Sequence, residues 1–90
     1  MINKVIEINA KPACDIILFN LLESMIEPSR AESGCNRYDV YRDVKNAGRF
    51  LLFESWESDR DLEAHRQSDH MQIFKQKAPD LIADKQSFAV

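Results

Sequence analysis

The sequence is poor in residues that break regular structure, with two glycines and three prolines among 90 residues. This scarcity argues against linkers and low-complexity segments, and the length is that of one small domain, so we expect a single domain over residues 1–90. The two cysteines, Cys14 and Cys35, are far apart and do not form a CxxC pair. Their spacing favours reduced thiols over a disulfide or a zinc site.

Long apolar runs and clusters of positive charge are also missing. No stretch approaches the roughly 20 apolar residues that span a bilayer, and the first residues lack the continuous apolar core of a signal peptide. We therefore expect a cytoplasmic protein that has no membrane partner. The formal charge is −3 and the Lys and Arg residues are scattered, which makes nucleic acid a poor candidate partner.

Four segments show the alternating apolar pattern of strands. These segments are 2–9, 36–43, 50–57 and the C-terminal SFAV. The segment 50–57 differs from the others because it carries apolar residues on both faces, with Leu52 and Trp56 on one and Leu51 and Phe53 on the other. Helices of a 90-residue chain can cover only one of these faces. We expect a partner subunit to cover the other face.

Apolar residues recur at spacings of three and four after Pro12, which suits the first position of a helix. This pattern predicts an amphipathic helix that is kinked or broken at Pro28 and ends at Gly34. The loop 44–48 is predicted to close a hairpin between the second and third strands.

Two serines mark further helix starts. Ser58 and Ser68 each resemble an N-cap, so the region after the third strand is predicted to form two helices, with Pro79 interrupting the second. The resulting order of strand, helix, two strands, two helices and strand predicts the α+β class. The expected architecture is a ferredoxin-like sandwich, with helices on one face of an antiparallel sheet.

Several motifs resemble the antibiotic biosynthesis monooxygenase family, and in particular its small quinol monooxygenase-like members. The motifs are EINAKPA, EPSRAESGCNRYDVYRD, RFLLFESWES and LEAHRQSDHMQIF. The resemblance covers about residues 2–89. It implies a homodimeric α+β barrel, in which two sheets pack face to face and each subunit keeps its own pocket between sheet and helices.

The resemblance also implies an activity. Members with an assigned activity oxidise hydroxylated aromatics of the quinol type with molecular oxygen, and they use no flavin, haem or metal cofactor. Two alternatives stay open, an isomerase of a phosphorylated autoinducer-2-like sugar and a non-catalytic dimer module that binds an aromatic ligand. The haem-degrading relatives use an asparagine in the first strand, which has no clear counterpart near Lys4.

Several side chains could supply the chemistry that this resemblance implies. We expect His65 to be the general base, because an imidazole can accept a phenolic proton near neutral pH. Trp56 and Phe74 could clamp a flat substrate. The candidates for orienting hydroxyls or steadying negative charge are Tyr41, Asn36, Arg37 and His70. Asn36 and Arg37 lie on opposite faces of one strand and cannot both point into one pocket.

Two acidic features have simpler readings. The acids between residues 57 and 63 are expected to form a solvated helix start rather than a metal site. Two histidines five residues apart do not match HExxH, and no metal is predicted. Glu54 shares a strand face with apolar residues, and if buried it would have to be either protonated or paired, with Arg37 or Arg42 as possible partners.

Overall fold

The structure, a computed structural model, describes all residues from 1 to 90. The strands are β1 (Ile2–Ala10), β2 (Cys35–Arg42), β3 (Arg49–Trp56) and β4 (Ile82–Ala89). The helices are α1 (Asp15–Ser24), α2 (Ile26–Arg30), α3 (Asp59–Arg66) and α4 (Asp69–Leu81). None of these helices combines the length and the apolar character needed to cross a bilayer.

The strands form one antiparallel sheet in the order β2-β3-β1-β4. Helices cover one face of this sheet, which confirms the predicted α+β, ferredoxin-like fold. The predicted hairpin between the second and third strands is also confirmed, because β2 and β3 pair directly.

The core lies between the sheet and the helices. One buried cluster consists of Met25, Tyr38, Leu52, Trp56 and Leu62. A second consists of Ile8, Leu18, Leu22 and Phe50. The strand residues of both clusters occupy alternate positions, because successive side chains of a strand point to opposite faces.

The other sheet face, which we call the open face, carries no helix. Its apolar side chains include Tyr41, Leu51, Phe53 and Phe88, and Tyr41 and Phe88 are 47% and 44% exposed. The Tyr41 and Phe53 rings meet edge to face with centroids 5.5 Å apart. The open face therefore has an aromatic patch that the chain itself leaves uncovered.

Helix α1 begins at Asp15 rather than at the predicted Pro12. The intervening Ala13 has a φ of 65°, in the left-handed region that a helix cannot include. Chain reversal after β1 therefore delays the first helical turn, which is a constraint that apolar spacing does not report.

The predicted break at Pro28 lies earlier in the chain. The helices separate at Met25, and Pro28 is the third residue of α2. A proline is tolerated in the first turn of a helix because the N–H groups of that turn have no partner within the helix. In a continuous helix, residue 28 would donate a hydrogen bond to the carbonyl four residues earlier, and because Pro28 has no N–H the helix is interrupted before the proline. The interruption predicted at Pro79 is absent, and α4 continues through it to Leu81. Only two residues of the helix follow this proline, so little of the helix depends on the missing bond.

The two serine caps are confirmed. Ser58 Oγ accepts a hydrogen bond from the Asp61 backbone N–H at 3.2 Å, and Ser68 Oγ accepts one from Met71 at 3.3 Å. These caps fix where α3 and α4 begin, and so they fix which side chains the helices present to the sheet.

Gly34 lies in the turn between α2 and β2, with a φ of +81°. Its Cα packs against the Asp61 side chain, and a Cβ at this position would overlap that carboxylate. The glycine is therefore needed for two reasons, the backbone conformation and the close approach of α3.

We expect Gly34→Ala to lower the free energy of unfolding by about 2 kcal/mol, because it adds left-handed strain and a clash with Asp61. Urea unfolding followed by circular dichroism measures the loss. Gly48→Ala is the matched control, since Gly48 is not in the left-handed region and a Cβ there makes one tight contact, 3.3 Å to the Ala10 Cβ, without overlapping it. Equal losses in the two variants would contradict this account of the turn.

Candidate active site

A cavity of about 240 Å³ lies between the helix-covered face of the sheet and helices α3 and α4. We call it the helix-side cavity. Its apolar lining includes Ile6, Ile8, Leu52, Leu62, Met71 and Phe74. Because an apolar cavity of roughly 150 Å³ can hold benzene, this volume suits a ligand with one or two rings.

His65 reaches this cavity from the last turn of α3. Its side chain is 3% exposed, and its Nε2 lies 3.9 Å from Glu54 Oε1. The imidazole stacks on the Trp56 indole with centroids 4.5 Å apart and a 33° tilt. Trp56 is fully buried and supports the back of His65.

Glu32 joins the two histidines. Its Oε2 lies 2.6 Å from His65 Nδ1 and 2.9 Å from His70 Nε2. An ionised carboxylate only accepts hydrogen bonds, so each of these nitrogens donates a hydrogen bond to Glu32. In the neutral form of the His65 ring, the hydrogen is then on Nδ1, and Nε2 lies on the side of Glu54.

Ser68 connects the same network to the helix termini. Its Oγ donates to the His65 carbonyl at 2.7 Å and lies 3.3 Å from His70 Nε2. The residue that caps α4 therefore also holds the C-terminal end of α3, which carries His65.

Glu32, His65 and His70 are also the residues that could hold a metal ion, since one ligand atom from each lies within 4.8 Å of the others. The separations of 2.6 and 2.9 Å are those of hydrogen bonds. In this arrangement the three side chains satisfy one another.

Glu54 and Tyr38 also line the helix-side cavity. Glu54 is buried, and its Oε1 accepts a hydrogen bond from Trp56 Nε1 at 2.9 Å. Trp56 and His65 thus take the place of the arginine partners that the sequence suggested. Burial, and secondarily the nearby Glu54, raises the pKa of the Tyr38 phenol. Tyr38 therefore stays protonated at neutral pH and can donate a hydrogen bond but cannot serve as a base.

Comparison with known proteins assigns the chain and its fold to one family. The model for the family described as "Antibiotic biosynthesis monooxygenase" matches residues 1–77. The chain belongs to the antibiotic biosynthesis monooxygenase family. Solved members share its architecture, and PA3566 from Pseudomonas aeruginosa superposes with a TM-score of 0.95 at 28% identity, covering 99% of this chain and 90% of that one.

Curated relatives of this family member are similar over most of its length. A Mycobacterium tuberculosis protein named "Putative monooxygenase Rv0793" is 36% identical over 80% of this chain and 70% of its own. Its structure superposes with a TM-score of 0.90 at 29% identity, covering 99% of this chain and 91% of that one. The Synechocystis protein sll1783 is 38% identical over 84% of this chain. The matched segment spans 52% of sll1783, so the chain corresponds to about half of that relative.

In this antibiotic biosynthesis monooxygenase domain, the residues proposed from sequence fall into two groups. His65 and Phe74 line the helix-side cavity. Trp56 and His70 lie outside the lining but contact His65 or its partner Glu32.

The structure does not bring the three candidates from the second strand to His65. Arg37 and Tyr41 lie on the open face, where Arg37 Nη2 donates to Tyr41 Oη at 3.0 Å. Asn36 is exposed and its amide donates to Glu57 Oε2 at 2.9 Å. The register of β2 shifts between Cys35 and Arg37, and the strand then turns Tyr38 toward the helices. Tyr38 therefore occupies the position that these three were expected to fill.

Two residues at this site, Glu32 and Lys4, were not among the candidates that the sequence suggested for the base, the aromatic clamp or the hydroxyl contacts. Glu32 lies in an irregular turn, where no periodicity reports its direction. Lys4 interrupts the apolar face of β1 between Ile2 and Ile6, and it pairs in register with Glu54. A charged residue on the inward face of a strand was the available signal.

We expect Glu32→Ala to lower the free energy of unfolding by about 2 kcal/mol, because it leaves a buried imidazole N–H without an acceptor. Chemical denaturation at pH 7 measures this loss. The control is Glu27→Ala, since the Glu27 side chain is 89% exposed and its ion pair with Arg30, at 4.0 Å, is long and therefore weak. The control should change stability by less than about 0.5 kcal/mol. If Glu32→Ala lowers the free energy of unfolding by no more than the control does, the role given to this carboxylate is refuted.

Proposed function

We propose that this chain is a cofactor-independent monooxygenase that oxidises a small hydroxylated aromatic of the quinol type with molecular oxygen. The observation that carries the proposal is a buried imidazole in the lining of a cavity, with Nδ1 hydrogen-bonded to a carboxylate. In the neutral ring this arrangement leaves Nε2 to accept a proton. The family membership and the name of the relative Rv0793 support the reaction class.

His65 begins the reaction. The substrate hydroxyl gives its proton to Nε2, and the imidazolium that forms is stabilised at Nδ1 by Glu32, which lies 2.6 Å away. The same carboxylate holds the imidazole in the orientation needed for the transfer, as the acidic member of a catalytic triad does. Tyr38 is the hydrogen-bond donor that we assign to the substrate oxyanion.

Oxygen then reacts with the electron-rich ring. The phenolate gives one electron to O₂, and the aryloxyl radical and superoxide combine at a hydrogen-bearing ring carbon ortho to the oxyanion, where the proton taken by His65 completes a hydroperoxide. The O–O bond breaks and the ring carbon loses its hydrogen, which yields a quinone and water. One oxygen atom enters the product and the other leaves as water, so the electron count closes without a further reductant.

One observation favours the isomerase as a second candidate. Four cationic side chains line the helix-side cavity, and they could bind the phosphate of a sugar. The non-catalytic module differs from both enzymes in its expected behaviour, since it would bind an aromatic ligand in air without consuming oxygen.

We expect His65→Ala to lower kcat for oxygen uptake with a panel of hydroquinones by about 10²- to 10⁴-fold, because the reaction loses its general base. An oxygen electrode measures the rate, and near-ultraviolet circular dichroism checks that the variant is folded. His70→Ala should cause a smaller loss, since His70 acts through Glu32. Uptake that is indifferent to the His65 substitution would remove the proposed base.

We also propose that the open face binds a second copy of the chain to form a homodimer. The face presents an aromatic patch, and at the edge of this patch toward β2 the Arg37 guanidinium carbon lies 4.6 Å from the centroid of the Phe53 ring. Its charges are already paired, since the hydrogen bond from Arg37 to Asp39 lowers the pKa of that carboxyl. Packing of two such sheets would add a second apolar layer to a domain whose own core is thin.

Introducing acids into this patch should separate the subunits. We expect Leu51→Glu/Phe53→Glu to sediment as a monomer and the native chain as a dimer, because opposed carboxylates would be buried without partners. Val44→Glu is the control, since Val44 is 98% exposed in the loop after β2. Analytical ultracentrifugation distinguishes the states, and a monomeric native chain at micromolar concentration would contradict the dimer.

A further inference from the structure

The helix-side cavity is positively charged within an acidic protein. The chain has 12 Lys and Arg residues against 15 Asp and Glu residues. Four of those cations line the cavity, whereas Glu54 is the one acid in the lining. The four are Lys4, Arg66, Lys75 and Lys85. The local charge therefore has the opposite sign to the net charge of −3.

The lysines of this set form no close ion pair, although Lys75 is near enough to Glu63 to contribute to the lowered pKa of that carboxyl and Lys4 lies opposite Glu54 in the sheet. The ion pairs of the molecule within 4.0 Å involve arginines and histidines, and none involves Lys4, Lys75 or Lys85. Lys75 Nζ donates to the Arg66 carbonyl at 3.0 Å, which places the ammonium without cancelling its charge. Unpaired ammonium groups beside a concave, partly apolar surface attract anions strongly.

Lys75 and Lys85 line two neighbouring cavities. A neighbouring cavity of about 390 Å³ lies between α4 and β4, and Lys75 and Lys85 line it as well as the helix-side cavity. Phe74 also borders both cavities, so an aromatic surface lies beside the two ammonium groups. The lining of the helix-side cavity also includes His65, the base of the proposed reaction.

We propose that the substrate is an anionic hydroxyarene, whose ring and hydroxyl occupy the helix-side cavity and whose carboxylate binds Lys75 and Lys85. This inference rests on the proposed function, since it assigns the substrate of that same site. The lysines bind a group that does not react, so they set specificity and orientation while His65 removes the phenolic proton.

Binding without turnover tests the charge preference. Isothermal titration calorimetry under nitrogen compares 2,5-dihydroxyphenylacetate with its methyl ester, which keeps the ring and removes the charge. We expect the acid to bind about tenfold more tightly than the ester. Raising KCl from about 20 to about 200 mM should weaken binding of the acid and leave the ester unchanged.

Two double variants then locate the preference. Lys75→Gln/Lys85→Gln should reduce the acid-to-ester ratio to about one by weakening the acid alone. Lys11→Gln/Lys77→Gln removes the same total charge from exposed positions outside the cavity, and it should keep the native ratio. A native ratio near one, or a ratio unchanged by the first double variant, would overturn the proposal.

Oxygen uptake and a third ligand separate this inference from the function on which it rests. Charge-selective binding with no uptake of oxygen in air would leave the anion site standing and refute the monooxygenase. Uptake of oxygen with no difference in binding between the acid and the ester would support the monooxygenase and refute the anion site. Ribose 5-phosphate that binds through Lys75 and Lys85 where the aryl acid fails would overturn the hydroxyarene and favour the isomerase.

Discussion

Strand β3 lies between β1 and β2 and carries apolar side chains on both faces of the sheet. Burying all of these side chains therefore requires a covering layer on each face. On the helix-covered face Phe50 and Trp56 are almost completely buried, whereas on the open face Leu51 is 37% exposed. The helices therefore solve half of the burial problem. The enclosed half supplies a cavity and the uncovered half a surface for assembly, so both proposed properties arise from one strand.

The helix-covered face also includes a chain of polar contacts. Trp56 Nε1 donates to Glu54, His65 stacks on Trp56, and Glu32 links His65 to His70. Burying a polar group costs free energy of folding unless the group forms hydrogen bonds or other favourable contacts. In this series of polar contacts, each side chain contacts the next. The apolar lining and the polar contacts are the features on which the proposed cofactor-free reaction relies, since in that proposal the protein orients a base and the substrate supplies the electrons.

Much of the fold could be predicted because it depends on local signals. The caps at Ser58 and Ser68 follow from nearby backbone geometry, and the strands follow from alternation. The predictions at Pro12 and Pro28 were less accurate. The left-handed Ala13 delays the start of α1, and the break between α1 and α2 lies at Met25, about one turn before Pro28. Proline reports where an N–H is missing, while the surrounding chain decides where the helix gives way.

The candidate site was only partly predictable from the sequence. His65 could be found because its spacing from Leu62 places it on the buried face of a helix. By itself the sequence determined the α+β class and the faces of the strands, since these depend on patterns a few residues long. Only the tertiary structure decided that Glu32 lies between two histidines 33 and 38 residues further along, and that lysines from α4 and β4 meet at one cavity. Contacts of this kind depend on how whole elements pack, and no local propensity encodes that packing.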